Sequence, residues 1–346
     1  MGLVSLLRKK VKTALFTTPS HSKHFFIYHK LRNLYKVDIS ETDAYNPQEA
    51  LSLAEKEAVK IYGTKSTKFL LNGSTSGIIG AVLACVQKGE HVLVWDKAHP
   101  CHLNAIKLAG AEPVYYEPEF DNNWGVYTKT NPETIKNKLK SNKIKAVIVT
   151  SPTYEGFVSD IKAIKNICEE YGVYLIVDEA HGALYPFSDK LPQSAVNIAD
   201  FTVQSLHKTA GGLNPTALLH NNTTLSSEKA LSLFMTTSPS YPLLASIEAN
   251  IKFLNSNRGK KVIEKLILNI EELKNYCKNC EFGGDDITKI LVKHNRFSGT
   301  ELSEYLYNKY NLEDEKTNKI STMFLCGVGT TEAKLQRLKK ALISLH

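Results

Sequence analysis

Four short polar clusters in this 346-residue chain carry residue types that could do chemistry together. The first is Asn72-Gly73-Ser74-Thr75-Ser76-Gly77. Small residues let backbone N–H groups approach an anion, a helix start adds a favourable field, and the hydroxyls of Ser74 and Thr75 add donors. A phosphate suits such a turn, and so does a plain helix cap. The second cluster is Asp178-Glu179-Ala180-His181-Gly182, which follows the apolar run 174–177. A carboxylate at the end of a buried strand needs a partner. A protonated pyridine nitrogen would serve, and so would a helix end or a cation. The third is Gln204-Ser205-Leu206-His207-Lys208-Thr209. A lysine behind a strand can be desolvated, which lowers its pKa and makes it a nucleophile towards an aldehyde. The plain alternative is a surface lysine. The fourth is His99, beyond the strand-like run ending at Trp95-Asp96, placed either to stack on an aromatic ring or simply to occupy a loop.

Taken together, the clusters narrow the choice. Anion cradle, ring-stacking histidine, acid and lysine follow one another in chain order, with Asp178 thirty residues before Lys208. Pyridoxal phosphate needs this set: a lysine that bonds its aldehyde, a carboxylate at the pyridinium nitrogen and an anion hole.

The elements that must position these residues are legible as apolar runs. Strands are predicted at 68–71, 91–95, 113–116, 146–150, 174–177, 201–204 and 217–220, with helices over 76–87, 103–109, 132–140 and 161–171. Near-continuous apolar strands separated by helices imply a mostly parallel sheet covered on both faces, with ligands at the carboxyl ends of its strands. Beyond residue 225 the pattern changes to helices at 243–255, 260–278, 300–309 and 332–345, with strands at 289–292 and 321–325. The expected organisation is an N-terminal arm or helix (1–45), a cofactor-binding large domain (46–240) and a small α+β C-terminal domain (241–346).

Composition sets bounds. Hydrophobic residues make up 42% and charged residues 23%, ordinary for a soluble globular protein. The net charge of +8 is spread along the chain, and Lys136 to Lys145 reads as a solvated helix face and the loop after it, so no nucleic-acid partner is expected. Six cysteines at irregular spacing within apolar stretches suit reduced thiols in the cytoplasm. Cys277 and Cys280 form a lone CxxC without a second pair, so no metal site is expected. At the N-terminus the apolar residues precede the charges, the reverse of a secretory signal. No apolar run reaches the ~18 residues of a membrane span. The start of the chain reads as an amphipathic helix packed on the body or on a partner subunit.

At these residues the sequence resembles the bacterial Orn/Lys/Arg decarboxylases, pyridoxal-phosphate enzymes of fold type I. The matching segments are FLLNGSTSG at 69–77, TSPTY at 150–154, VDEAHGA at 177–183, QSLHKT at 204–209 and TSPSY at 237–241. The likeness covers roughly residues 15–340. It implies an aspartate-aminotransferase-like α/β fold, a three-layer αβα large domain with a smaller α+β domain. It also implies that Lys208 holds the cofactor covalently, Asp178 keeps the ring nitrogen protonated, and His99 stacks on the ring. Ser74, Thr75, Ser205 and His207 would hold the phosphate, with Gly73 and Ala180 in the same shell and His181 near the cofactor oxygen. Ser238 would reach a neighbouring subunit's phosphate in a homodimer or higher oligomer. The sequence departs from the family pattern at Pro19-Ser20-His21-Ser22, at His99-Pro100-Cys101 and at Asn214-Pro215-Thr216. With 138 residues after Lys208, the family's extra C-terminal domain is expected to be absent, and so is the N-terminal wing domain of inducible members.

The expected activity is decarboxylation of arginine, lysine or ornithine. A cationic side chain needs an acidic partner, for which Glu41, Asp43, Asp285, Asp286, Glu313 and Glu315 are candidates. Two other readings compete. An aminotransferase would grip the α-carboxylate with an arginine, here Arg296, and a degenerate homologue would bind cofactor or a partner without turnover.

Overall fold

A computed structural model describes residues 13–21, 33 and 47–345. The first ten residues, read as a helix, lie outside it, as do Glu41 and Asp43. In chain order the elements begin with β1 (Ala14–Leu15), α1 (Pro47–Tyr62), β2 (Ser66–Leu70), α2 (Gly73–Cys85), β3 (His91–Trp95), α3 (Cys101–Leu108) and β4 (Glu112–Tyr116). The hairpin β5 (Phe120–Asp121) and β6 (Val126–Tyr127) precedes α4 (Pro132–Ser141), β7 (Ile144–Thr150), α5 (Ile161–Glu170), β8 (Tyr174–Asp178), β9 (Phe201–Ser205) and β10 (Ala217–Asn221).

These strands build a seven-stranded sheet in the order β2-β10-β9-β8-β7-β3-β4. All neighbours run parallel except β10, which is antiparallel to both β2 and β9. Its central strands are buried on both faces, which is why β7, β8 and β9 read as unbroken apolar runs rather than alternating ones. One face packs α2 and α3 through Ile78, Val82, Ile106, Ile148 and Val203. Part of the other packs α4 and α5 through Ile135, Leu139, Ile164 and Cys168. Each fully buried Leu, Ile or Val contributes about 1.5–3 kcal/mol, so the two layers hold the sheet rigid. Local signals start the helices. Asn131 accepts from Glu133 N–H ahead of Pro132, and Asp160 accepts from Ala163 N–H.

The remaining elements are α6 (Glu228–Ser232), α7 (Tyr241–Asn255), α8 (Asn257–Tyr276), β11 (Cys280–Gly283), β12 (Lys289–His294), α9 (Gly299–Tyr310), β13 (Leu312–Glu313), β14 (Lys316–Thr317), β15 (Thr322–Leu325) and α10 (Glu332–Ile343). A second sheet, β11-β12-β15-β14, is antiparallel throughout. Helix α7 and the first half of α8 pack against the large sheet's outer layer through Leu244, Ile247, Ile251 and Ile263. The second half of α8 joins the core of the small sheet through Leu266, Ile270 and Leu273. One rigid helix therefore ties the two sheets together. The described start of the chain is extended, not helical. Strand β1 pairs in parallel with β13, and Phe16 is buried edge-on against Phe324.

Candidate active site

The register of the large sheet brings the chemistry to one edge. Thr150 stands opposite Asp178, Asp178 opposite Val203, Ser205 opposite Ala217, and Ala217 opposite Leu70. Beyond these strand ends lies a cavity of about 660 Å³. Gly73, Ser74, Thr75, His99, Asp178, Ala180, His181, His207 and Lys208 all line it. Ser205 sits just behind them, fully buried, and its hydroxyl has no partner. Ser238 is exposed on the loop before α7 and does not line this cavity.

The cradle starts at Gly73, whose φ of +69° is a left-handed conformation that glycine adopts without strain. Its N–H donates to Pro215 C=O, and α2 begins there. Asn72, at the cap position, makes no side-chain hydrogen bond to the first turn, so the leading N–H groups of α2 are left for another acceptor. Pro215 lines the same wall, which gives the departure from the family pattern at 214–216 a structural place.

Asp178 is buried, and His102 Nε2 lies 2.8 Å from its Oδ2. Its Oδ1 accepts from Ala180 N–H at 3.1 Å. Burial alone would raise this carboxyl. The His102 hydrogen bond and charge, with Lys208 beside them, outweigh burial and hold it below its ordinary value. Sequence reasoning missed His102. Its only signal was that it sits three residues past His99, on the first turn of α3. Cys101 Sγ converges on the same pair, the three donor atoms lying within 4.8 Å of one another. Burial pushes the Cys101 thiol up to about 12, which keeps it protonated.

Lys208 Nζ lies 3.0 Å from His181 Nε2. Burial lowers the lysine's pKa and outweighs the opposing attraction of Asp178. Burial, then the charges of Lys208 and Lys289, push His181 well below its ordinary value, so the imidazole is neutral and can accept from the ammonium. The Tyr154 ring packs on His181 with centroids 4.6 Å apart. Burial also lowers His99 and His207, and His207 Nδ1 lies 3.0 Å from Thr216 C=O.

The residues fit pyridoxal phosphate. Around the cavity, the buried polar atoms Ser205 Oγ, Thr150 Oγ1, Trp95 Nε1, His181 Nδ1 and His102 Nδ1 have no partner of their own. Buried polar groups are normally paired, so a polar guest is implied. Of the acids proposed from sequence, Asp286 is excluded as a substrate partner. It is fully buried and saturated by Lys289 Nζ at 3.2 Å, Tyr185 O–H at 2.9 Å and Thr288. Asp285 accepts from Val158 N–H and pairs with Lys129 away from the cavity. Glu313 lies in the β1–β13 pair. Glu315 touches a cavity-lining side chain, accepting from Tyr154 O–H at 2.6 Å. Arg296 follows β12, its N–H donating to His294 Nδ1, and no arginine among the described residues lines the cavity.

A mostly parallel sheet with a part-buried lysine, a buried carboxylate and an open helix start at its carboxyl edge is an arrangement that one class of pyridoxal-phosphate-dependent enzymes uses. Among solved structures, the chain resembles Pseudomonas aeruginosa lysine decarboxylase A, with a TM-score of 0.74 and 21% identity over 85% of this chain and 50% of that one. An SPT structure with PLP gives a TM-score of 0.72 at 15% identity, covering 96% and 87%. The chain thus spans about half the length of the lysine decarboxylase. The chain belongs to the Orn/Lys/Arg decarboxylase family, whose major domain matches residues 12–293. It is 30% identical to the arginine decarboxylase of Bacillus anthracis over 95% of this chain and 73% of that protein. It is 24% identical to the inducible ornithine decarboxylase of Lactobacillus sp. (strain 30a) over 70% and 38%.

Proposed function

We propose that this chain removes the α-carboxylate of a basic amino acid (arginine, lysine or ornithine) as CO2, with pyridoxal phosphate held by Lys208. The observation that carries this reading is one cavity lined by Lys208, its pKa lowered, by Asp178, held below its ordinary value, and by the open first turn of α2.

When bound, pyridoxal phosphate supplies the electron sink for the bond that breaks. The protein supplies the rest. Asp178, itself held by His102, would hold a proton at the ring nitrogen. Ser74, Thr75, Ser205 and His207 would bind the phosphate, with Gly73 and Ala180 giving the backbone room. His99 would stack on the ring and His181 would serve the cofactor oxygen. The Lys208–His181 pair can move a proton to the α-carbon once CO2 has left. The aminotransferase alternative asks for an arginine at the cavity, and Arg296 is not there.

The same reading extends to setting and assembly. All six cysteines are free and five are buried, which suits a reducing cytoplasm and amine, polyamine-type products made there. No helix among the described residues is long and apolar enough to cross a membrane. Leu108 and Leu233, 64% and 77% exposed, flank an apolar groove that also contains Thr75 and Phe234. A second copy of the chain covering that groove would close the site from outside, in a homodimer.

The test is an absorption spectrum of the purified protein, then borohydride reduction and peptide mapping. A band near ~420 nm that bleaches, with the pyridoxyl group on Lys208, followed by CO2 release from a basic amino acid, is the expected result. Label on another lysine would overturn the assignment.

A further inference from the structure

The rim of the cavity carries a charge arrangement outside the residues assigned above to the cofactor. Glu155 lines the cavity and is 7% exposed. Its Oε1 accepts from Lys316 Nζ at 2.6 Å. Lys316 lines the same cavity from β14, its side chain half exposed, with Nζ 4.8 Å above the Tyr154 ring. Among the described residues, Glu155 and Asp178 are the acidic side chains that line the cavity, and Asp178 is already held by His102. Glu315 stands behind Tyr154, its two oxygens engaged by Tyr154 O–H and Thr18 N–H.

Contacts connect this rim to the reacting end. Lys208 touches His181, the His181 ring packs on Tyr154, and Tyr154 lies under Lys316, which pairs with Glu155. The turn that carries Glu155 is held from beneath. Gly156, with φ +93°, passes so close to Lys289 that a Cβ there would lie 2.7 Å from its Cγ, and Gly156 C=O accepts from both Asp285 and Asp286 N–H. The carboxylate is thus mounted on a fixed turn, while its partner is the end of a long, half-exposed side chain.

That asymmetry has a consequence for selection. A buried carboxylate that loses its partner is strongly disfavoured. A half-exposed lysine that swings out recovers most of its hydration. Only a ligand that brings its own cation can displace Lys316 without leaving Glu155 bare. A guanidinium or ammonium does so, and a guanidinium can meet the carboxylate with two hydrogen bonds. A neutral side chain of the same length cannot.

We propose that Glu155 is the specificity-determining residue for the distal cation of the substrate, with Lys316 occupying that position until the cation arrives. This inference rests on the reading of the site as a basic-amino-acid decarboxylase.

The experiment compares wild type with Glu155→Gln and Lys316→Met, each loaded with pyridoxal phosphate. Two readouts are taken: kcat and KM for lysine and arginine, and calorimetric affinity for 1,5-diaminopentane against 1-aminopentane, which lacks the distal ammonium. Glu155→Gln, an isosteric change, is expected to raise KM roughly 10- to 100-fold with a much smaller change in kcat, as loss of a charged hydrogen bond outside the reacting centre does. It is also expected to abolish the preference for the diamine. Lys316→Met, which removes the competitor for Glu155, is expected to lower KM. If wild type turns over a basic amino acid and Glu155→Gln keeps both KM and the diamine preference, the inference falls and the functional reading stands. If Lys316→Met weakens both amines alike, Lys316 is an anchor and the exchange falls. If wild type neither turns over a basic amino acid nor prefers the diamine, both readings fall together.

Discussion

His102 on the first turn of α3 and Asp178 at the end of β8 form a buried pair, Nε2 to Oδ2 2.8 Å, 1% and 5% exposed, in the floor of the candidate active site. Removing the imidazole leaves a buried carboxylate with Ala180 N–H and the more distant Lys208 charge. We expect His102→Phe to cost about 3 kcal/mol or more of stability and to weaken cofactor retention. Because Asp178 is held below its ordinary value, the stability it contributes is full above that ordinary value and is lost as pH falls through the lowered one. In His102→Phe burial is left to push the carboxyl up, so this share of the acid loss should shrink or reverse, and the variant's deficit should be largest near pH 7 and narrow as pH falls. Thermal unfolding of the cofactor-free protein from pH 3 to 7 checks this, and superimposable pH profiles would count against it.

Lys208 gives the opposite dependence. Its ammonium is disfavoured first by burial, so the neutral amine that attacks an aldehyde is populated below the free-lysine value of 10.5. The rate of capture of pyridoxal phosphate, trapped with borohydride, should rise with pH through a midpoint below 10.5. Asp178 pulls that midpoint up, so Asp178→Asn should move it to lower pH. A midpoint at or above the free-lysine value would contradict the environment described for this side chain.

Asp286 and Lys289 form a fully buried ion pair next to the site, with Lys289 Nζ also 3.4 Å from His181 C=O. Breaking such a pair is costly because the remaining charge stays buried. Lys289→Met should destabilise the protein by about 3–5 kcal/mol, read as a shift of the urea midpoint. The Asp286→Leu, Lys289→Met double variant should recover part of that loss.

The exposed pair Leu108 and Leu233 tests assembly. Leu233→Asp should lower the apparent mass in light scattering from two chains to one and weaken cofactor retention, since the groove runs beside Thr75. An unchanged mass would place the interface elsewhere.

Much of this was legible in the sequence. The apolar runs at β3, β7, β8 and β9 read directly as strands because both faces of each are buried, leaving no alternation to misread. Lys208, Asp178 and the Gly73-Ser74-Thr75 turn were legible because ligands collect at the carboxyl ends of such strands, where a polar residue after an apolar run stands out. Tertiary structure decided what depends on register and on distant chain. It placed β10 antiparallel between β2 and β9, brought His102 onto Asp178 across 76 residues, and seated Lys316 beside Glu155 across 161. It also took Asp286 out of contention as a substrate partner by burying it against Lys289. Residue type and spacing announce what a group could do, whereas a hydrogen bond between remote strands is set only when packing brings their ends within about 3 Å.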